Sequence, residues 1–296
     1  MESYSVLMSV HPGERPEFLS AAIRSMLGQT VPPDDFVLVC DGRPSPALEE
    51  VVLGFEARYP HVFQVVRLPE PRGLGAALNI GLRACRREVV ARMDSDDLAL
   101  PTRMAQQLAA LEADPKLSIV GGQIAEFSEE PHNITGYRLV PRTHGEILAY
   151  AGFRSPMNHV TVTFRKRAVL AAGSYCDFGS FEDYHLWARM LAGGARFANL
   201  GQVCVCARVD QNTYRRRSGL AYFHRAAQME AFLQACGLID TARYWANLTV
   251  RFAGAVLAPN LVRRTLYNTL LRRRHMPREW AGMQESADRL AETVYV

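Results

Sequence analysis

The chain has 296 residues, 48% hydrophobic and 22% charged, with 21 Gly and 16 Pro dispersed along it. That composition excludes extended disorder, collagen-like repetition and low complexity, and leaves room for one large or two modest globular domains. The formal charge of +4 is uneven: residues 251–278 hold seven Arg (251, 263, 264, 272, 273, 274 and 278) and no acid, so the remainder carries a net −3.

Six cysteines (40, 85, 176, 204, 206 and 236) form no Cys-x-x-Cys pair and have no His at ligand spacing, so buried free thiols are expected rather than a zinc site or disulfides. No apolar run reaches the roughly 18 residues that cross a bilayer, since the longest, 252–262, is broken by Pro259 and Asn260. The chain opens without a secretory-type basic and apolar leader, so a cytoplasmic location is expected.

Tyr4 to Val10 reads as a strand. Pro16 then opens a helical pattern (Phe18, Leu19, Ala22, Ile23, Met26, Leu27) that Gly28 ends. Phe36 to Cys40 is a short buried strand, followed by a helix with Leu48, Val51, Val52, Phe55 and Tyr59 on one face. Further strands are expected at 62–68, 88–93 and 118–124, with helices at 74–85 and 101–113 between them. Strand alternating with helix at this spacing predicts right-handed crossovers and an α/β, mostly parallel, Rossmann-like sheet covered on both faces. Later the pattern loosens. Met157 to Phe164 alternates as an antiparallel strand would, Phe181-Glu182-Asp183 leads a helix with Leu186, Trp187, Met190 and Leu191 on its apolar face, and Val203 to Val209 is another strand. After Thr213 the pattern is helical throughout.

The strand ends carry the chemistry. Val10 is followed by His11-Pro12-Gly13, Cys40 by Asp41-Gly42, Leu68 by a turn reaching Arg72-Gly73, and Met93 by Asp94-Ser95-Asp96-Asp97. In a parallel sheet these carboxyl ends share one edge, where open α/β sheets bind ligands. Three carboxylates within four residues suit a hard divalent cation, and equally suit a solvated turn before a helix. Asp41 could hydrogen-bond a base or ribose, or shape an Asx turn; Arg72 could reach a phosphate or remain a surface Arg.

SVLMSVHPGERPEFLSAAIRSMLGQT (5–30), Val39-Cys40-Asp41-Gly42, the stretch from Pro71-Arg72-Gly73 to Asn79 and ARMDSDD (91–97) together resemble the family 2 glycosyltransferases with the GT-A fold. PMNHVTVTFRK (156–166), Gly173-Ser174-Tyr175, FEDYHLWARML (181–191) and RRSGLAY (216–222) resemble its amylovoran-type and capsular galactosyltransferase branch. The resemblance covers nearly the whole chain. It implies that the backbone at Val10 and His11, with Asp41 and Arg72, holds the uridine of a UDP-sugar. Asp94 would face the ribose or a metal, with Ser95 beside it, and Asp96 would bind Mn²⁺ or Mg²⁺ on the diphosphate. Asp183, with Glu182 beside it, matches the catalytic base of an inverting displacement; the same two acids would also favour a helix N-terminus for capping reasons alone. His159 and Trp187 could border the acceptor, or be structural. Two departures stand out: His11-Pro12 replaces the usual aromatic-Asn, and Cys40-Asp41-Gly42 the usual Asp-Asp-Gly.

The implied organisation is a nucleotide-sugar half (1–98), an acceptor half (99–212) and a helical extension (213–296). Arg216 and Arg217 could meet a pyrophosphate-linked acceptor, or lie on a solvated helix face. The basic, amphipathic tail predicts peripheral attachment to the anionic inner face of a bacterial membrane, where a lipid-linked oligosaccharide acceptor resides; a bundle helix with a charged outer face fits the same pattern. No nucleic-acid signature accompanies it. UDP-galactose leads as donor, followed by UDP-glucose or UDP-N-acetylhexosamine. A phosphatase using Asp-x-Asp would carry it after the first strand; a sugar nucleotidyltransferase would need a better Gly-rich loop than His11 to Arg15, and a non-catalytic nucleotide-binding protein at the membrane would need no base.

Overall fold

The computed structural model describes residues 2–128, 130–131, 133–209 and 219–258. Four parallel strands come first: β1 (Tyr4–Val10), β2 (Asp35–Asp41), β3 (Phe63–Leu68) and β4 (Val89–Asp94). Joining them are α1 (Pro16–Leu27), α2 (Pro46–Arg58) and α3 (Leu74–Ala84). Pro16 and Pro46 start their helices with the dihedral already set, and Ser45 caps α2 by accepting the Leu48 N–H.

The chain continues through β5 (Leu98–Ala99), α4 (Arg103–Ala113), β6 (Leu117–Phe127), β7 (Ile134–Arg138) and α5 (His144–Ala151). It then forms β8 (Thr163–Arg165), α6 (Lys166–Ala171), α7 (Glu182–Ala192) and β9 (Arg196–Arg208). The nine strands among the described residues form one sheet in the order β3-β2-β1-β4-β8-β6-β9-β5, with β7 on β6. The expected 98/99 boundary therefore falls inside β5, and the two halves share a single sheet.

Period-2 alternation splits the core between the sheet faces. Val6, Met8, Phe36 and Leu38 pack under α1, α2 and α4, whereas Leu7, Val37 and Val39 pack under α3 and α7. Gly81 lets α3 lie close on the sheet, since a Cβ there would meet Leu7 Cδ1 at 2.5 Å and Val39 Cγ2 at 2.6 Å.

The structure departs from the sequence reading mainly after residue 100. The helix expected from Pro101 begins at Arg103, and β9 starts seven residues before the expected Val203. The segment 157–164 is not one strand: a 3-10 turn at His159–Thr161 precedes the three-residue β8. Its polar side chains are drawn into backbone contacts, with Asn158 donating to the Gly122 and Arg138 carbonyls and Thr161 Oγ1 to the Asn158 carbonyl. β7 and α5 carry too little periodicity to be read. α5 is set instead by a capping box between Thr143 and Glu146.

Beyond Gly219, α8 (Leu220–Ala235) and α9 (Thr241–Phe252) form a helical pair. Ala226, Met229 and Leu233 of α8 pack on Phe181, Tyr184 and Ala188 around α7. Arg251, expected on a basic face turned to a membrane or on the charged outer face of a bundle helix, is instead tied to Glu230, which is fully buried, and to the Phe153 carbonyl. The other six Arg of the tail, together with Arg216 and Arg217, lie outside the described residues. Among the described residues no helix is long and apolar enough to cross a membrane.

Candidate active site

The carboxyl ends of β1 to β4 converge as expected. Gly42, at φ +105°, would carry a Cβ 2.9 Å from Pro71 Cγ and 3.0 Å from Pro12 Cγ, so the turns after β1, β2 and β3 touch and only glycine fits between them. Asp41 is almost fully buried and its two oxygens accept the Arg72 N–H at 2.6 Å and the Gly73 N–H at 2.9 Å. It therefore pins the β3–α3 turn, through partners 31 and 32 residues away rather than through a local Asx turn. The Arg72 side chain is exposed on the rim, as is His11, while Val10 is buried and offers backbone only.

At the end of β4 the acids are treated unequally. Asp94 forms a two-pronged ion pair with Arg92, with Nη1 2.6 Å from Oδ2. Asp97 is buried and accepts the Arg208 N–H at 2.7 Å; burial, then Asp96 and Asp94, raise its carboxyl well above the usual range. Burial raises Asp96 to about 7, followed by the charges of Asp94 and Glu14, and Arg208 acts against them; the Arg208 Nε also donates to the Asp96 carbonyl at 3.3 Å. Ser95 donates to Glu14 Oε2 at 2.9 Å, and the Glu14 side chain is only 9% exposed.

The second acidic feature lies at the start of α7. Glu182 and Asp183 occupy its first turn, where the helix dipole favours anions. Burial raises Glu182 to about 7, followed by the charge of Asp183, and Arg92 and Asp94 act on it too. Asp183 Oδ2 lies 3.5 Å from Ser155 Oγ. A Cβ on Gly75 would sit 3.5 Å from the Glu182 Cβ, so the start of α3 abuts the start of α7. The two acidic features thus share a neighbourhood: burial raises the Tyr175 phenol, and Arg92, Asp183, Glu182 and Asp94 all act on it.

His159 is half-buried, with Nε2 3.1 Å from the Tyr175 hydroxyl, and its ring meets Trp187 edge-on at 5.9 Å. Burial, then Arg92, holds it neutral, well below the usual His range. Trp187 is fully buried and packs on His159 and Phe197, so it is core and not a wall of an open pocket.

Three members of the site escape sequence reasoning: Arg92, Tyr175 and Glu14. Arg92 had a signal, a charge in the middle of an apolar strand at the same face parity as Asp94. Tyr175 follows Ser174, whose φ of +57° is unusual for a residue with a side chain; Arg189 binds the Ala172 and Ser174 carbonyls and holds that turn. Glu14 joins only through the fold.

Among the described residues no three His, Cys, Asp or Glu side chains converge as a ready-made metal cage. The donor set nevertheless fits a divalent cation carried by a diphosphate. Asp94, Asp96, Asp97 and Glu14 outnumber the two guanidiniums that act on them, Arg92 and Arg208, and Asp96 is a hard oxygen donor that burial and its acidic neighbours raise to about 7. Mg²⁺-type ions commonly use one or two protein carboxylates with substrate phosphates.

Comparison with known proteins agrees with this architecture. The glycosyl transferase family 2 profile matches residues 5–173. The amylovoran biosynthesis glycosyltransferase AmsE of Erwinia amylovora is 37% identical over 226 residues, covering 76% of this chain and 84% of that protein. The UDP-Gal:alpha-D-GlcNAc-diphosphoundecaprenol beta-1,3-galactosyltransferase of Escherichia coli is 32% identical over 270 residues, covering 91% and 97%. The mannosyltransferase PcManGT from Pyrobaculum calidifontis, solved with GDP-Man and Mn²⁺, superposes with a TM-score of 0.59 at 19% identity, over 99% of this chain and 87% of that one, and shares the GT-A fold. With matched motifs on one sheet edge, a matching profile and relatives along most of its length, the chain belongs to glycosyltransferase family 2.

Proposed function

We propose that the protein is an inverting, metal-dependent hexosyltransferase that moves a sugar from a UDP-sugar, UDP-galactose first and UDP-glucose next, onto a lipid-linked oligosaccharide of bacterial capsule, exopolysaccharide or O-antigen. The observation that carries this reading is the meeting of the Asp94–Asp96 strand end and the Glu182–Asp183 helix start around Arg92 and Tyr175. A transferase needs both, since one group must steady the departing diphosphate and another must accept a proton from the attacking hydroxyl.

In this reading the backbone at Val10 and His11 and the turn pinned by Asp41 bind the nucleoside, and Arg72 reaches in from the rim. Asp96, with Asp94 beside it, would hold Mn²⁺ or Mg²⁺, which supplies positive charge to the diphosphate as it leaves. Asp183 accepts the acceptor hydroxyl's proton as that oxygen bonds to the anomeric carbon from the face opposite the diphosphate, which inverts the centre. Glu182, partly protonated near neutrality, limits the negative charge beside Asp183. His159, neutral and fixed by Tyr175, can exchange hydrogen bonds with an acceptor without adding charge.

The relative of 32% identity is named for a diphosphoundecaprenol-linked acceptor, which supports a lipid-linked substrate here. Peripheral attachment to the inner membrane face is supported by the acid-free stretch 241–258, which exposes Trp245, Val250, Phe252 and Leu257.

The test is transfer from a panel of UDP-sugars to a polyprenyl-diphosphate-linked sugar, with Mn²⁺ or with chelator. Mn²⁺-dependent product of inverted anomeric configuration, abolished in Asp183→Asn, is expected. Metal-independent transfer or retained configuration would overturn the mechanism.

A further inference from the structure

The helical pair α8–α9 lies beyond the residues that the family profile matches, which end at 173, yet it is tied to the segment leading to Asp183. α5 ends at Ala151, where carbonyls run out of partners within the helix. Three successive carbonyls there are each taken by a side chain from elsewhere. The Tyr184 hydroxyl donates to that of Ala151, Asn247 Nδ2 to that of Gly152 at 2.8 Å, and Arg251 Nη2 to that of Phe153 at 3.0 Å. Glu230 joins the last two donors: it is fully buried, and its oxygens accept from Asn247 Nδ2 at 2.8 Å and from Arg251 Nε. A buried ion pair is weak evidence of stability, and its best-attested use is to specify one arrangement of the groups around it. The turn between α8 and α9 also rests directly on the end of α5, since a Cβ on Gly152 would meet Ile239 Cγ2 at 2.9 Å.

Two links carry this clamp to Asp183. Tyr184 is its neighbour in α7; burial raises the Tyr184 phenol, and Arg251, Glu230 and Asp183 all act on it. Ser155, two residues past Phe153, has its Oγ 3.5 Å from Asp183 Oδ2. α8 adds apolar contact on both sides of the acids, packing Ala226, Met229 and Leu233 with Phe181 and Tyr184. We propose that Glu230, Asn247 and Arg251 are positioning residues for glycosyl transfer: through the end of α5, the α8–α9 pair sets where Asp183 and Ser155 stand against the attacking hydroxyl. The inference rests on the reading of Asp183 as proton acceptor and extends it to a part of the chain that the family profile does not reach. Among the described residues none of the clamp's hydrogen bonds goes to the β1–β4 edge, so donor binding and acceptor geometry separate experimentally.

The test compares wild type with Glu230→Gln, Arg251→Met and, as a control, Asp240→Ala, which loosens the other end of α9. It measures sugar transfer, hydrolysis of the UDP-sugar by water, Mn²⁺–UDP affinity by calorimetry, melting temperature and amide hydrogen exchange. Arg251→Met is expected to bind Mn²⁺–UDP within about threefold of wild type, while kcat for transfer falls roughly 10²-fold, the scale of a reacting group misplaced from a distance. Hydrolysis should fall less, so the ratio of hydrolysis to transfer rises. That ratio is independent of how much of the sample is folded, and a merely structural role would leave it unchanged. Exchange at residues 153–154 and in the first turns of α7, at 185–188, should quicken in Glu230→Gln and Arg251→Met but not in Asp240→Ala. If Arg251→Met does not fold, the double variant Glu230→Gln/Arg251→Met removes both buried charges and takes its place. Clamp variants with a lowered melting temperature, an unchanged ratio and unchanged exchange at 185–188 would overturn the proposal. Wild-type protein that binds Mn²⁺–UDP but transfers no sugar would count against the reading of the reaction, and exchange at 185–188 would still decide the clamp.

Discussion

The two acidic features of the site are handled by opposite devices. At the end of β4 the Arg92 guanidinium claims Asp94 and the Arg208 N–H claims Asp97, while Asp96 is raised by burial and its acidic neighbours and lowered by Arg208. At the start of α7 the first turn of a helix favours both acids, and Arg92 acts on Glu182 against the burial that raises it. The contrast suits two tasks. A group that meets a cation benefits from a crowded set of acids, whereas a group that accepts a proton must stay ionised.

The largest expected effect breaks the α7 side: Asp183→Asn keeps shape and hydrogen bonding but cannot accept a proton, and should lower kcat by roughly 10³-fold with donor KM little changed. Next, Asp96→Asn should abolish the thermal stabilisation that UDP with Mn²⁺ confers on wild type, measured as the shift in melting temperature. If the two substitutions gave the same profile, the division between the two sides would be wrong.

Smaller effects sharpen the contrast. Asp41→Asn keeps a side-chain acceptor but loses charge-assisted bonds to the Arg72 and Gly73 N–H groups, and should cost on the order of 1–2 kcal/mol in the urea midpoint while raising donor KM. Glu182 is raised in the folded protein from 4.5 to about 7, so the native state binds the extra proton. Its contribution to stability is therefore fully present below about pH 4.5 and is lost as the pH rises toward 7. Glu182→Gln should remove that slope, so the variant gains in melting temperature relative to wild type between pH 5 and about 7.5, the shift in folded-state protonation being the cause; parallel curves would contradict the burial of this carboxyl. The smallest effect lies far from the site: Asp240→Ala removes the α9 cap on the Arg243 N–H and should cost about 1 kcal/mol without altering turnover.

Much of this was legible because the first half obeys local rules. Pro16 and Gly28 bracket α1, and uninterrupted apolar runs mark strands buried on both faces, as in β2. The strand ends could be aligned on one edge before any coordinates, which brought Asp41, Arg72, Asp94 and Asp96 together. The later half relies on long-range contacts that periodicity does not record. Asn158 and Thr161 turn the chain at a place where apolar alternation alone reads as strand, and Trp187 resembles a pocket aromatic in sequence yet lies under His159. Asp41 shows the remaining limit: its position was readable, but its partner, 31 residues away, was not. Arg92 sits inside the ARMDSDD motif, yet only the fold shows its ion pair with Asp94.

Anomalous diffraction from crystals soaked in UDP and MnCl₂ bears most directly on the shared site. The account predicts a manganese peak beside Asp96, with the diphosphate on the β1–β4 edge and Asp183 facing it across the space left for the sugar. Manganese and nucleotide bound on another surface, with the Asp96 carboxylate still facing Glu14 and solvent, would contradict it.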